Sequence, residues 1–189
     1  MTKSIRKNNM RKTADIGKFY YFFPQTVAMV GVKENIMPAA WHTPISADPP
    51  LYGVLLSPKR HTFQLLKEGD GFTANFLGFD FAALVAKTGG VSGRDINKFD
   101  KFKIKHSPAE HINGPILQES YAAYECEKYA IHEYGDHFLC IGKIVMIHHR
   151  DDIINGQLVD EKKVSPMLYF GKDRYITIDP STLSVFKRG

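Results

Sequence analysis

The sequence predicts a mainly β protein, an antiparallel β-barrel with helical insertions. Short segments rich in β-branched and aromatic residues outnumber helical ones, about seven or eight against two or three. The strand segments adjoin one another in hairpins instead of alternating with helices as βαβ units. The chain has 189 residues, 43% hydrophobic and 24% charged, which suits one domain with a sizeable core. No apolar run approaches the roughly 20 residues that span a bilayer, so no membrane association is expected.

The elements follow in order. Residues 1–16 read as a flexible basic tail, and 17–189 as a single domain. Within it, residues 1–12 carry Lys3, Arg6, Lys7, Arg11 and Lys12 and no acid, and these five cations match the whole net charge of +5. The body is therefore neutral, and no nucleic-acid-binding face is expected. Lys18 to Phe23 is a dense aromatic stretch. Thr26–Val32 and Ile36–Trp41 read as a hairpin about the polar turn Lys33–Asn35. His42 to Pro50, with Pro44, Pro49 and Pro50, reads as irregular, and Leu51–Leu56 as a buried strand. Within Ser57–Gly69 a helix is expected, with Ser57 as its N-cap, Pro58 as its first residue and Gly69 as its C-terminal cap; Thr62 would cap a later start equally well. Phe72–Phe76 is a further strand, Phe81–Lys87 a helix stopped by Gly89 and Gly90, and Thr88–Arg94 a loop. Lys98–Ile104 alternates phenylalanine and lysine, which predicts a strand or a partner-facing edge. Tyr121–His132 and Phe138–His148 form a long hairpin about Glu133–Asp136, with the second arm apolar enough to be covered on both faces. Polar Asp151–Gln157 precedes a last apolar segment, Pro166–Phe170.

Several chemistries find no support. The chain lacks a dinucleotide fingerprint, a Walker A loop and a nucleophile elbow. In His132-Glu-Tyr-Gly-Asp-His137 the histidines are five apart across a turn, which does not suit zinc. Cys126 and Cys140 stand in strands and read as buried small hydrophobes; with two cysteines no disulfide framework arises. No signal-type segment follows Met1, so a cytoplasmic protein is expected. His148 and His149 read as surface residues, because adjacent residues of a strand cannot aim both rings at one ion.

The chemistry concentrates between Trp41 and Thr62. Ser57, Lys59, Arg60, His61 and Thr62 gather between a strand end and a helix start, where free backbone N–H groups meet two cations and two hydroxyls. Cations at a helix N-terminus oppose its dipole unless an anion is bound, which favours an anion site. Upstream, the lone tryptophan, Trp41, offers a wall for a planar ring, and Thr43 and Ser46 offer hydroxyls. An apolar wall, backbone donors and a cationic pocket together suit a phosphorylated heteroaromatic cofactor such as a flavin.

Trp41-His-Thr-Pro-Ile-Ser46, Asp48-Pro-Pro50, Ser57-Pro-Lys-Arg-His-Thr62 and Thr73-Ala-Asn-Phe76 resemble the flavin reductase-like, FMN-binding split-barrel family, which includes flavoredoxins. Thr88-Gly-Gly-Val-Ser-Gly-Arg-Asp95 with Lys98-Phe99, Glu133-Tyr-Gly-Asp-His137 and Pro166-Met-Leu-Tyr-Phe-Gly171 agree with it, over a match from about Phe19 to Tyr175. The resemblance implies an antiparallel six-stranded split β-barrel, a homodimer, and a flavin near the dimer interface. It places Trp41, His42, Thr43, Pro44 and Ser46 along the isoalloxazine and ribityl chain. Ser57, Lys59, Arg60, His61 and Thr62 fall at the phosphate, Asn75 beside the flavin, and Ser92 and Arg94 within reach from either subunit. His137 matches a late histidine near the nicotinamide. Thr88 departs from the cysteine of many relatives, which puts a thiol role in doubt. The implied activity is an FMN-binding, FAD-tolerant oxidoreductase, a flavin reductase that takes hydride from NADH or NADPH. Electrons would pass on to free flavin, iron, a monooxygenase or another redox partner protein. A flavoredoxin-like carrier with bound FMN and no NAD(P)H activity remains the alternative, and a non-catalytic split barrel holding another ligand a third reading.

Overall fold

The computed structural model describes residues 11–156 and 158–186. Of the five tail cations, Lys3, Arg6 and Lys7 lie outside the described residues. Arg11 and Lys12 are exposed and belong to no regular element, and a 3-10 turn begins at Ile16.

Strand β1 (Ala28–Val32) and β2 (Asn35–Ala39) form the expected hairpin, with Lys33 turning the chain at φ 50°. All five residues of β1 are buried, because its two faces feed two different cores. Ala28, Val30 and Val32 point into the barrel, where they meet Val54, Leu56, Phe63, Leu66, Phe72, Cys126 and Cys140. Met29 packs the other way, with Ile36, Leu77, Val85, Phe99 and Leu117. Burying each such side chain contributes about 1.5–3 kcal/mol.

The chain then runs through β3 (His42–Ala47) and β4 (Pro50–Leu56), helix α1 (His61–Glu68), β5 (Gly71–Leu77), helix α2 (Ala82–Gly89), helix α3 (Lys98–Phe102), and the long pair β6 (Ser120–Tyr134) and β7 (His137–His149). These strands form one antiparallel sheet in the order β2-β1-β5-β6-β7-β4-β3. It curls so that residues of β1 and β4 share one interior, an antiparallel split barrel. Gly135 takes φ 63° in the β6–β7 turn, a conformation that favours glycine.

Four expectations change. His42–Pro50 is not irregular: His42–Ala47 pairs with β4, which gives the sheet seven strands instead of six. Its Pro44 is tolerated because β3 is an edge strand, and the ladder shifts register between Pro44 and Ser46. Lys98–Phe102 is a helix, not a strand. The Asn97 side chain accepts hydrogen bonds from the Phe99 and Asp100 amides, and this cap outweighs the two-residue alternation. Ser57 does not cap α1; Ser57–Arg60 is a turn, closed by the Arg60 amide on the Ser57 carbonyl at 3.0 Å, and the helix begins at His61. The β7 arm is not covered on both faces: Cys140 and Gly142 are buried, but Ile147 is 55% exposed.

The Asn97 cap carries a simple expectation. Asn97→Ala should cost about 1 kcal/mol and lower the melting temperature by about 2–4 °C, read by thermal denaturation. An unchanged melting temperature would show that packing of Phe99 alone holds α3.

Candidate functional site

Between β2 and β3 the chain crosses through Ala40 and Trp41, and the Leu55 amide donates to the Trp41 carbonyl at 2.9 Å. This crossing sets the indole at the barrel rim. Its ring centroid lies 4.8 Å from that of His137, 5.5 Å from Tyr20 and 6.2 Å from Phe19. His137 arrives from the β6–β7 turn because Phe138, its neighbour in β7, pairs with Leu56 at the end of β4. The Asp136 carboxylate lies 2.8 Å from His137 Nδ1, and this hydrogen bond holds the Asp136 carboxyl below its usual range.

Beyond β4, the Ser57–Arg60 turn leads into α1, whose start has neither a side-chain cap nor an acidic residue in its first turn. The Phe63 amide donates to the Arg60 carbonyl at 3.2 Å, which leaves the His61 and Thr62 N–H groups of the first turn open to an anion. Facing them, the loop after α2 passes close over Asn35: a Cβ on Gly93 would stand 2.0 Å from Asn35 Oδ1, so the approach demands glycine.

Two adjoining cavities result. One, of about 490 Å³, is lined by Trp41, Leu55, Ser57 and His137. The other, of about 500 Å³, is lined by Asn35, His61, Thr62, Ser92, Arg94 and Lys98. Met37, Lys59, Arg60 and Gly89 line both, so they form one cleft with an aromatic end and a cationic end. The ion pairs among the described residues include none of Lys59, Arg60, Arg94 and Lys98. Burial, then the charges of Arg94 and Lys98, pushes the His61 pKa down. Lys98 Nζ donates to the carbonyls of Ile36 (2.8 Å) and Thr88 (2.9 Å). Burial, with the Arg60 charge, lowers its pKa to about 8.

The expected site residues divide. Trp41, Ser57, Lys59, Arg60, His61, Thr62, Ser92, Arg94 and His137 line the cleft. His42 and Thr43 face a separate, mostly apolar cavity of about 560 Å³ on the other side of Trp41, shared with Phe19, Phe23 and Leu168. His42 is tied to the fold: Nδ1 meets the Tyr52 hydroxyl and Nε2 lies 3.1 Å from the Thr26 carbonyl. Burial lowers its pKa, and the Thr26 carbonyl partly opposes that. Pro44 and Ser46 lie on the edge strand, opposite Tyr52 and Leu51, away from these cavities. Asn75 is not brought to the cleft. It is fully buried, its Nδ2 donates to the Met29 and Pro115 carbonyls and to Thr73 Oγ1, and its Oδ1 accepts from the Leu117 amide. An amide so occupied holds strands together and, being fully buried with both N–H donors used, has no donor to offer a ligand. Thr88 is also internal: its hydroxyl donates to the Val85 carbonyl and its carbonyl accepts from Lys98.

Asn35, Met37 and Lys98 line the cleft without having been expected there. Asn35 was hidden inside a turn signal and Lys98 inside an apparent strand. Both thiols are buried, and burial pushes Cys126 and Cys140 up to about 12.

His148 corrects another expectation. It is no free surface residue: its Nε2 lies 2.6 Å from Glu125, which is wholly buried. The same carboxylate accepts from the amides of Glu110 (3.0 Å) and His111 (2.7 Å), and His111 Nδ1 lies 3.3 Å away. Burial alone would raise the Glu125 pKa, but the two amides and His148 outweigh it and hold the carboxyl below its usual range.

Comparison with known proteins gives a consistent result. A family model described as "Flavin reductase like domain" matches residues 20–178. An uncharacterized protein of Archaeoglobus fulgidus is 31% identical over 156 residues, 81% of this chain and 88% of that protein. A crystal structure of an FMN-binding protein from Thermus thermophilus, with bound p-hydroxybenzaldehyde, superposes with a TM-score of 0.80 at 35% identity, covering 95% of this chain and 100% of that one. Flavoredoxin of Desulfovibrio vulgaris (Miyazaki F) shares the fold, with a TM-score of 0.79 at 23% identity over 98% of each chain.

Proposed function

The chain belongs to the flavin reductase-like family, and on that footing we propose that it is an FMN-binding oxidoreductase that draws on NADH or NADPH and passes electrons to a separate acceptor. The observation that carries this reading is the cleft itself, which joins an aromatic wall at Trp41 and His137 to an uncapped helix start among unpaired cations. That donor set fits FMN. The His61 and Thr62 amides, Lys59 and Arg60 match a terminal phosphate, whose charge of about −1.5 to −2 the two cations would neutralise. The Trp41 indole and His137 imidazole match a flat ring system.

When bound, FMN supplies hydride acceptance and onward electron transfer. This chain's residues bind and orient. Ser57, Lys59 and Arg60 would anchor the phosphate end, and Trp41 would fix the ring plane. His137, held by Asp136, would border the face that nicotinamide approaches. No general acid or base side chain is required, because the cofactor carries the redox chemistry.

The pairing is proposed to occur in a homodimer. Tyr129, Tyr134 and Ile147 leave apolar surface exposed on the β6–β7 hairpin, which a second copy would cover.

Anaerobic mixing of the FMN-loaded protein with NADH or NADPH tests the reading. Loss of the visible flavin band is expected with at least one of them. A protein that holds FMN yet keeps its colour with both is an electron carrier, and one that neither retains FMN nor quenches its fluorescence is neither.

A further inference from the structure

The apolar cavity beyond Trp41 has no part in the flavin cleft. It holds about 560 Å³, a volume that suits a small organic molecule. Three of its walls are the rings of Phe19, Phe23 and Trp41. Phe19 and Phe23 are 59% and 49% exposed, so both rings meet water unless something fills the space beside them. None of the lining residues is a Lys, Arg, Asp or Glu. A charged acceptor, such as a free flavin nucleotide or an iron chelate, finds no counter-charge there. A neutral, flat molecule matches the rings, and the Gln25 side-chain amide adds N–H donors for its carbonyl oxygens.

The cavity also adjoins the cleft. Ala40, Trp41 and Leu55 line both, so a single layer of side chains parts them. His137 lines the cleft and Phe19 the cavity, with ring centroids 4.8 Å and 6.2 Å from that of the indole. A hydride passes only between atoms in near contact, so none can reach this cavity from a flavin in the cleft. Electrons can cross one aromatic layer.

We propose that this cavity holds the electron acceptor, a neutral quinone, with the Trp41 indole as the partition between it and the flavin. The inference rests on the flavin-binding reading above and names the acceptor class which that reading leaves open. Two electrons leave the reduced flavin and cross the indole, and the flavin's two protons go to water on the cleft side. The quinone takes the two electrons and two protons from water, and its two C=O groups become two C–OH groups.

Menadione, a neutral naphthoquinone, is the probe. Trp41 is the lone tryptophan, so quenching of its emission reports occupancy in the flavin-free protein, and calorimetry reports it in the FMN-loaded protein. Saturable binding of the same affinity in both forms is expected, because the two ligands lie on different sides of the indole. Phe23→Asp alters a residue outside helix and strand and puts a charge in the cavity. It should weaken menadione binding about tenfold or more and leave FMN affinity unchanged. Anaerobic reoxidation of the reduced, FMN-loaded protein by sub-saturating menadione should slow by the same factor. Competition between menadione and FMN overturns the proposal, since the quinone then sits in the flavin cleft. Absence of saturable binding overturns it, as does an unchanged menadione affinity in Phe23→Asp. Equal reoxidation rates in the two proteins also overturn it, since the quinone then meets the flavin directly. If wild type binds no menadione and Phe23→Asp converts a dimer to monomers, the cavity is an interface between copies and the proposal fails. If wild type binds no FMN, the flavin reading fails and takes the acceptor role with it. That result is distinct from competition, or from absent menadione binding, in a protein that does hold FMN.

Discussion

Replacing Lys59 and Arg60 together by alanine is expected to weaken FMN binding about 100-fold while leaving riboflavin affinity nearly unchanged. Both side chains line the two halves of the cleft, and among the described residues neither is committed to an ion pair. A charge-assisted hydrogen bond contributes about 1.5–3 kcal/mol. Both residues are exposed, so water screens them and the lower figure applies to each. Two such contacts amount to about 3 kcal/mol, or about a 100-fold change in dissociation constant. Riboflavin lacks the phosphate and so reports the ring contacts alone. Fluorescence titration of both ligands decides the matter: an equal loss of FMN and riboflavin would mean that the cations support the ring wall instead of the phosphate.

Glu125→Gln should destabilise the protein by about 3–5 kcal/mol at neutral pH, the usual effect of breaking a buried charged network. The substitution keeps the volume but replaces one acceptor oxygen with a donor. The Glu110 and His111 amides and His148 now share two acceptor oxygens, and one of these donors would then face an N–H. The pH dependence has a definite sign. The folded Glu125 carboxyl titrates below its unfolded value of 4.5, so the unfolded chain binds the proton first on acidification. Its contribution is complete above that value and disappears as pH falls through the folded value. Wild type should therefore lose stability on acidification in that range, and the Gln variant should lose less. Denaturant melts at several pH values measure this, and parallel curves for the two proteins would show that Glu125 is not the group responsible.

Legibility followed physical locality. Ala28–Val32, Leu51–Leu56 and the β6–β7 pair were readable because apolar content and flanking turn residues are properties of a few neighbours. His42–Ala47 misled because Pro44 is disfavoured in a central strand yet harmless at an edge, and edge position is a property of the whole sheet. Lys98–Phe102 misled because a two-residue alternation over five residues also fits a helix that buries its first turn, and the Asn97 cap was the readable signal that would have decided it.

The site divides in the same way. Ser57 to Thr62 stood out because a strand end, cations and a helix start are contiguous in the chain, and their chemistry travels with them wherever the segment folds. By itself the sequence determined a mainly antiparallel barrel and the cationic turn that ends its fourth strand. Only the tertiary structure decided that Asn35 and Lys98 complete the cleft, that Asn75 is fully engaged inside the sheet, and that Glu125 gathers His111 and His148. Those groupings join residues far apart in the chain. Burial then removes the water that would otherwise satisfy their polar atoms, so partners must come from other elements.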